Sequence, residues 1–150
     1  MTDITIEKES IDTKEAFELI EELSEELSRI TGASGRANFH NDDMNNPRSL
    51  FVIAREEGKA VGCGAFRELS KDTAEIKRVY ARRKACGIGR KILAHLEGKS
   101  KELGYSRILL ETRKCNENAV NFYLRCGYQV ASNYGEYVNR PEAVCFSKEL

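Results

Sequence analysis

The segment Tyr80-Ala-Arg-Arg-Lys-Ala-Cys-Gly-Ile-Gly-Arg-Lys-Ile-Leu places Gly87 and Gly89 between a strand-like stretch and a helical one. Glycine at such a junction lets a ligand come close to the main chain, and the first amides of the following helix lack intrahelical acceptors. Free amides and the positive end of the helix dipole suit phosphate oxygens. The dipole alone contributes only about 0.3–1 kcal/mol, so charge from Lys84 and Arg90, one on each side of the glycines, would matter. For a bare Gly-x-Gly, a plain turn is an equal alternative.

Two stricter phosphate motifs do not fit. A dinucleotide fingerprint needs a third glycine where Ile92 stands, although Glu111 lies about where its ribose-binding acid would be. Gly98-Lys99-Ser100 imitates the end of a P-loop, but Leu93 holds the first glycine position and the tripeptide falls inside a helical pattern.

The elements that would carry these residues follow from periodicity. Ile4–Glu7 alternates as a short strand. Asp12 and Glu15 read as a capping box for a helix over 13–31, with Ala16, Ile20, Leu23, Leu27 and Ile30 on one stripe and Gly32 as its stop. Its acidic outer face reads as a solvated surface. Residues 33–47 show no period, so a loop or broken helix is expected, a common carrier of binding residues. Leu50–Arg55 and Ala60–Leu69 are strands joined by a hairpin at Glu56-Glu57-Gly58-Lys59, and Thr73–Arg82 is a third. A helix over 87–103, a strand over 107–112, a short helix over 119–126 and strands at 129–132 and 143–147 complete the order. Three meandering strands that feed a helix and then another strand predict a mixed sheet with helices on both sides, an α/β or α+β class.

Composition narrows the function. The 150 residues form one expected domain, 1–150, with 41% hydrophobic and 32% charged residues. No apolar run approaches the roughly 20 residues of a membrane helix, and the first residues carry no secretory pattern, so a cytoplasmic protein is expected. Lys and Arg number 24 and so do Asp and Glu, which gives no overall field for nucleic acid or membrane. Charge is nonetheless uneven: residues 77–91 hold seven bases and no acid, a pattern suited to a small polyanion, while residues 1–28 are acidic. Five cysteines without a CxxC pair read as free, mostly buried thiols, and two scattered histidines predict no metal site.

A longer pattern joins these signals. Ala74-Glu-Ile-Lys-Arg-Val-Tyr-Ala-Arg, Lys84-Ala-Cys-Gly-Ile-Gly and Asn116-Glu-Asn-Ala-Val-Asn-Phe-Tyr-Leu-Arg-Cys-Gly-Tyr128 resemble the GNAT N-acetyltransferase superfamily over about residues 50–150. The first blocks look like its acetyl-CoA pyrophosphate motif and the last like its Asn-x-x-Ala-x-x-Phe-Tyr-x-x-x-Gly-Phe/Tyr motif. The resemblance implies a mostly antiparallel mixed sheet of about six or seven strands, flanked by about four helices and splayed at its middle strands. It implies main-chain contacts from Val79, Tyr80 and Ala81 to the pantetheine arm, and from Cys86, Gly87, Ile88, Gly89 and Arg90 to the pyrophosphate. Lys84 stands at an Arg/Gln position, so it keeps the charge and loses the planar fork. Asn116 would touch pantetheine or cap its helix.

Chemical roles follow from the same resemblance. Tyr123 would protonate the departing thiolate, against the alternative of a core aromatic. Glu75 would accept a proton from an ammonium substrate, against the alternative of a cross-strand partner for a base. Arg36, His40 and Arg78 would face the acceptor and favour one that carries a carboxylate or phosphate, against the equal alternative of a solvated loop, and Tyr134 and Tyr137 would line or cover its pocket. The implied activity is direct acetyl transfer from acetyl-CoA to a primary amine of a small metabolite. Acetylation of a protein lysine or N-terminus, or a non-catalytic acyl-CoA-binding module, are the alternatives, and a homodimer is left open.

Overall fold

The computed structural model describes residues 3–36, 39–84 and 86–150. Seven strands form one sheet in the order β1-β2-β3-β4-β5-β7-β6. They are β1 (Ile4–Lys8), β2 (Leu50–Glu56), β3 (Lys59–Ser70), β4 (Thr73–Ala81), β5 (Arg107–Arg113), β6 (Gln129–Ala131) and β7 (Ala143–Glu149). Every neighbouring pair is antiparallel except β4 and β5. The described residues form three α-helices, α1 (Lys14–Thr31), α2 (Ile88–Glu102) and α3 (Glu117–Arg125), and two short 3-10 turns. The three replace the expected four: part of the 33–47 segment coils only as the 3-10 turn Asn41–Asn45, and Ala37 and Asn38 of that segment lie outside the described residues.

Both faces of the sheet centre are covered. Phe51, Ile53, Cys63 and Ala65 point to Ala16 and Leu19 of α1, while Val52, Ala54, Phe66 and Ile76 point to Ile88, Ile92 and Leu96 of α2. That two-sided burial is why β2 reads as an unbroken apolar run rather than an alternating one. Helix α1 begins one residue later than the capping box suggested. Thr13 is the N-cap and its Oγ1 accepts from Ala16 N at 3.2 Å, whereas Asp12 accepts from Asn41 Nδ2. Ile30 of the expected stripe is exposed and Leu19 takes a core place, because the buried stripe drifts along the helix.

The acidic face of α1 is solvent-exposed, as expected, but largely paired. Glu15 meets Arg55, Glu22 meets Arg82, Glu26 meets Lys84, and Glu21 meets Arg36. These contacts tie α1 to the sheet and to the segment that follows β4. The cysteines are free, but only Cys63 and Cys145 are buried; Cys86 and Cys115 are exposed and Cys126 is intermediate.

Helix α2 lies close to β3 because β3 offers glycines. A Cβ on Gly62 would stand 2.6 Å from Tyr80 O and 2.9 Å from Ile92 Cδ1. Gly62→Ala should therefore destabilise the fold by about 1–3 kcal/mol, since backbone must move. Gly98, inside α2 with open space beside it, supplies the contrast: Gly98→Ala should stabilise by up to about 1 kcal/mol. Paired thermal melts of the two variants against the parent check both signs.

Candidate active site

The site is built where β4 leaves β5. The parallel pair is in register only at Thr73↔Arg107, Ala74↔Ile108 and Glu75↔Leu109. Beyond Glu75 the β5-facing edge of β4 has no ladder partner among the described residues. The cause is in β4. Between the pairs Ala65↔Lys77 and Cys63↔Tyr80, Gly64 alone faces two residues, Arg78 and Val79, which is a β-bulge. Arg78 takes a left-handed φ of 57° there, a conformation that costs a non-glycine residue about 1–3 kcal/mol. Its Cys63 neighbour donates Sγ–H to Arg78 O, and the Arg78 guanidinium donates to Ser34 O at 3.2 Å while facing the Phe39 ring.

On the α2 side of this opening, Gly87 caps α2 with φ 76° and a Cβ there would point into open space. Lys91 N is bonded back to Gly87 O, so the amides of Ile88, Gly89 and Arg90 start the helix as orphan donors. The absence of a Cβ on Gly89 leaves room for Phe122, which would otherwise stand 3.3 Å away. Ala85 of this loop lies outside the described residues, and Cys86 is exposed with its Sγ 3.3 Å from Lys84 O. The expected charge from Lys84 does not reach the loop: its ammonium turns to Glu26 and Ala81 O. Arg82 and Arg83 are likewise paired, with Glu22 and Glu56, so the basic segment is mostly neutralised by neighbours. Arg90 and Lys91 are exposed and have no acidic partner among the described residues.

Helix α3 closes the same side. Asn116 caps it, its Oδ1 accepting from Ala119 N at 3.3 Å. Tyr123 packs edge-on to Tyr128 and against Phe146, and its hydroxyl has no hydrogen-bond partner among the described residues. Burial pushes its phenol well above the ordinary tyrosine range, so the group stays protonated.

The α1 side holds a buried ionic cluster. Glu75, 1% exposed, accepts from Arg67 Nε at 2.8 Å and from the Tyr134 hydroxyl, and lies 3.5 Å from Lys77 Nζ. Lys77 in turn donates to the buried Tyr137 hydroxyl at 2.7 Å. Burial lowers the Lys77 pKa, with Glu75 opposing. Asp43 from the 3-10 turn also holds Arg67. Both tyrosines therefore cover the cluster from the β6–β7 connection. Glu111, absent from the candidates drawn from sequence, belongs here too: it is largely buried and its Oε2 has no hydrogen-bond partner among the described residues. Only its place two residues past Leu109 on β5 could have signalled it. Arg36 and His40 are exposed: Arg36 pairs with Glu21, whereas His40 N donates to the Asp43 oxygen that also holds Arg67, at the rim of the cluster. Arg36 and Ser34 line an open depression with Ser24, Glu25, Ser28 and Arg29.

The family model of the GNAT acetyltransferases matches residues 15–128. This chain belongs to the GNAT acetyltransferase family. It is 29% identical to the IAA acetyltransferase of Azospirillum brasilense over 100% of both chains. A Klebsiella pneumoniae structure, provisionally assigned as an acyl-CoA N-acyltransferase, superposes with a TM-score of 0.81 at 27% identity, covering 98% of this chain and 97% of that one. A GNAT acetyltransferase from Elizabethkingia anophelis, solved with acetyl-CoA bound, gives a TM-score of 0.73 at 17% identity over 98% of each chain. The expected fold, with its splayed middle strands, is the observed one, and the activity class is N-acetyl transfer from acetyl-CoA.

The cluster also carries stability. Glu75→Ala would leave Arg67 and Lys77, 22% and 11% exposed at their side chains, without their shared carboxylate. Removing one partner from a buried ion pair typically costs about 3–5 kcal/mol, and the remaining Arg67–Asp43 contact places this variant near the lower end. Urea unfolding of the variant should show that loss in its midpoint.

Proposed function

We propose that this protein transfers the acetyl group of acetyl-CoA directly to the primary amine of a small metabolite. The observation that carries the reading is the parting of β4 from β5, with helix-start amides on one side and buried carboxylates on the other. The residues fit the donor. The unladdered main chain of Val79, Tyr80 and Ala81 suits the amides of a pantetheine arm, as an added strand would. Cys86, Gly87, Ile88, Gly89 and Arg90 suit the pyrophosphate, with Gly87 holding open the space a Cβ would fill. Because Lys84 is committed to Glu26, its share of that contact passes to the amides and to Arg90.

Acetyl-CoA supplies the activated acyl group; the chain manages the protons. Tyr123, protonated and free of a competing hydrogen bond, is the donor for the leaving thiolate. The carboxylate cluster, in which sequence pointed to Glu75, takes the proton that an ammonium must lose before it attacks. Arg78, buried with one neutral acceptor and no carboxylate partner among the described residues, supports an acceptor that bears a carboxylate near its amine. A small acceptor is supported by how both flanks are drawn onto the mouth: Ser34 to Arg78, Asp43 to Arg67, and Tyr134 to Glu75.

Thiol release from acetyl-CoA across amino acids, polyamines and short lysine peptides tests the reading. Turnover confined to the small amines, fastest with those bearing a carboxylate, is expected; preference for the peptides would overturn the substrate class, and no turnover at all would leave a binding module. Binding has its own readout. Coenzyme A should slow alkylation of the exposed Cys86 in the native protein, followed by mass spectrometry of the labelled peptide. Equal labelling with and without ligand would remove the cradle assignment.

Tyr123→Phe keeps the ring packing and deletes only the hydroxyl. It should lower kcat by about 10²-fold, the modest end for general acid catalysis because a thiolate leaves readily, with little change in acetyl-CoA affinity. Full turnover in a folded variant would assign protonation of the thiolate to solvent.

A further inference from the structure

We infer that Glu111, and not Glu75, is the carboxylate that takes the proton from the acceptor ammonium, with Glu75 acting as the positioning residue of the cluster. The inference rests on the acetyltransferase reading and assigns the base within it.

Position comes first. Strands β4 and β5 run parallel and are last in register at Glu75↔Leu109. Two residues further along each strand, at the first place where they have parted, stand Lys77 and Glu111. Glu111 is thus at the mouth itself, while Glu75 lies behind it, where the ladder is still closed.

Occupancy decides between them. Both Glu75 oxygens are engaged, Oε1 by Arg67 Nε and Oε2 by the Tyr134 hydroxyl with Lys77 nearby. An ammonium could reach Glu75 only by displacing those donors. Glu111 Oε2 is fully covered yet accepts no hydrogen bond among the described residues. Its nearest cation, Arg113 Nη1, is 3.9 Å away and already donates to Glu142 Oε1 at 3.2 Å. A buried carboxylate oxygen without a donor is costly, and native structures rarely keep one without reason. An ammonium N–H is a donor of the right charge for it.

The surroundings make that oxygen basic. Burial raises the Glu111 pKa most, and the neighbouring Glu75 adds to the rise. Arg113 on the same strand, Lys77 on β4 and Arg140 before β7 oppose it. Tyr137 of the cover and Tyr123 of α3 also feel the Glu111 charge, and Cys145 is its register partner on β7. The upward shift wins, toward the neutral range where a general base works best.

The step balances. The ammonium gives one proton to the Glu111 carboxylate and becomes a neutral amine. As its nitrogen lone pair forms the bond to the thioester carbonyl carbon, the carbon–sulfur bond breaks. Tyr123 gives its hydroxyl proton to the departing sulfur, and the second nitrogen proton, released as the amide forms, returns to the Tyr123 oxygen through solvent. The proton held by Glu111 then goes to solvent, the single proton that acetylation of an ammonium releases.

Two measurements test this, one of them independent of turnover. In ¹³C-carboxyl spectra of glutamate-labelled protein, one signal should titrate above the rest, and it should be missing in Glu111→Gln. A Glu111 that titrates with the ordinary carboxyls, or a high-pH signal that persists in that variant, would overturn the inference even if no amine in the panel were acetylated. In kinetics, the best small amine of the panel should show an acid limb in kcat/KM that disappears in Glu111→Gln, with a fall of about 10²–10⁴-fold. Glu75→Gln should keep the limb and move it to lower pH, because the Glu75 charge helps to hold the Glu111 pKa up. Hydroxylamine, already neutral at pH 7, should lose far less rate in Glu111→Gln than the amine does. A limb that vanishes with Glu75→Gln and survives Glu111→Gln would return the base to Glu75, leaving the acetyltransferase reading intact.

Discussion

The bulge at Arg78 is the constraint on which the rest of the site depends. One strained residue at φ 57° shifts β4 by a place against β3, three residues beyond the last β4–β5 pair at Glu75, so the freed end of β4 turns with β3 and not with β5. Such strain survives only when neighbours over-determine it. Here the Arg78 carbonyl is held by Cys63 and its guanidinium by Ser34 and the Phe39 ring, so the core and the loop after α1 both enforce the same conformation. The opening that results is bounded by rigid strands, which is where a reacting group can be held most closely.

Charge is organised around that opening. The acids of α1 and the bases of β4 and its following loop lie far apart in sequence and meet across the sheet, as Glu22 with Arg82 and Glu26 with Lys84. Exposed pairs of this kind contribute little stability, typically below 1 kcal/mol each. Their larger effect is to offset most of the positive charge of that segment. What remains is local: Arg90 and Lys91 at the start of α2, and Arg78 buried on the other side. The molecule thereby offers cations at two places rather than along a stripe, which suits a phosphate at one and an acceptor anion at the other.

The two faces of the sheet also separate the groups proposed as acid and base. Tyr123 packs among Tyr128 and Phe146 on the α2 side, where apolar burial keeps a phenol protonated. Glu75, Lys77 and Glu111 lie on the α1 side, where a covered cluster of charges can keep one carboxylate basic. Pushing the acid and the base apart in environment is how a single cleft can do both tasks at one pH.

Much of this was legible in the residues alone, for a physical reason: short-range signals are written locally. Hydrophobic period set the seven strands and the long helices, Gly32, Gly87 and Gly104 marked helix ends by the left-handed conformation they take, and the Gly-x-Gly junction announced a helix start with free amides. Partnership was not legible, because it depends on which distant groups the fold brings within a few ångströms. That Glu26 of α1 lies beside Lys84, and that the arginines of β2 and the β4 loop meet the exposed acids of α1, is visible only in the fold. Glu75 and Glu111 are both carboxylates on strands in the sequence. Only the register of β4 on β5, and the donors it delivers to one and withholds from the other, tells them apart.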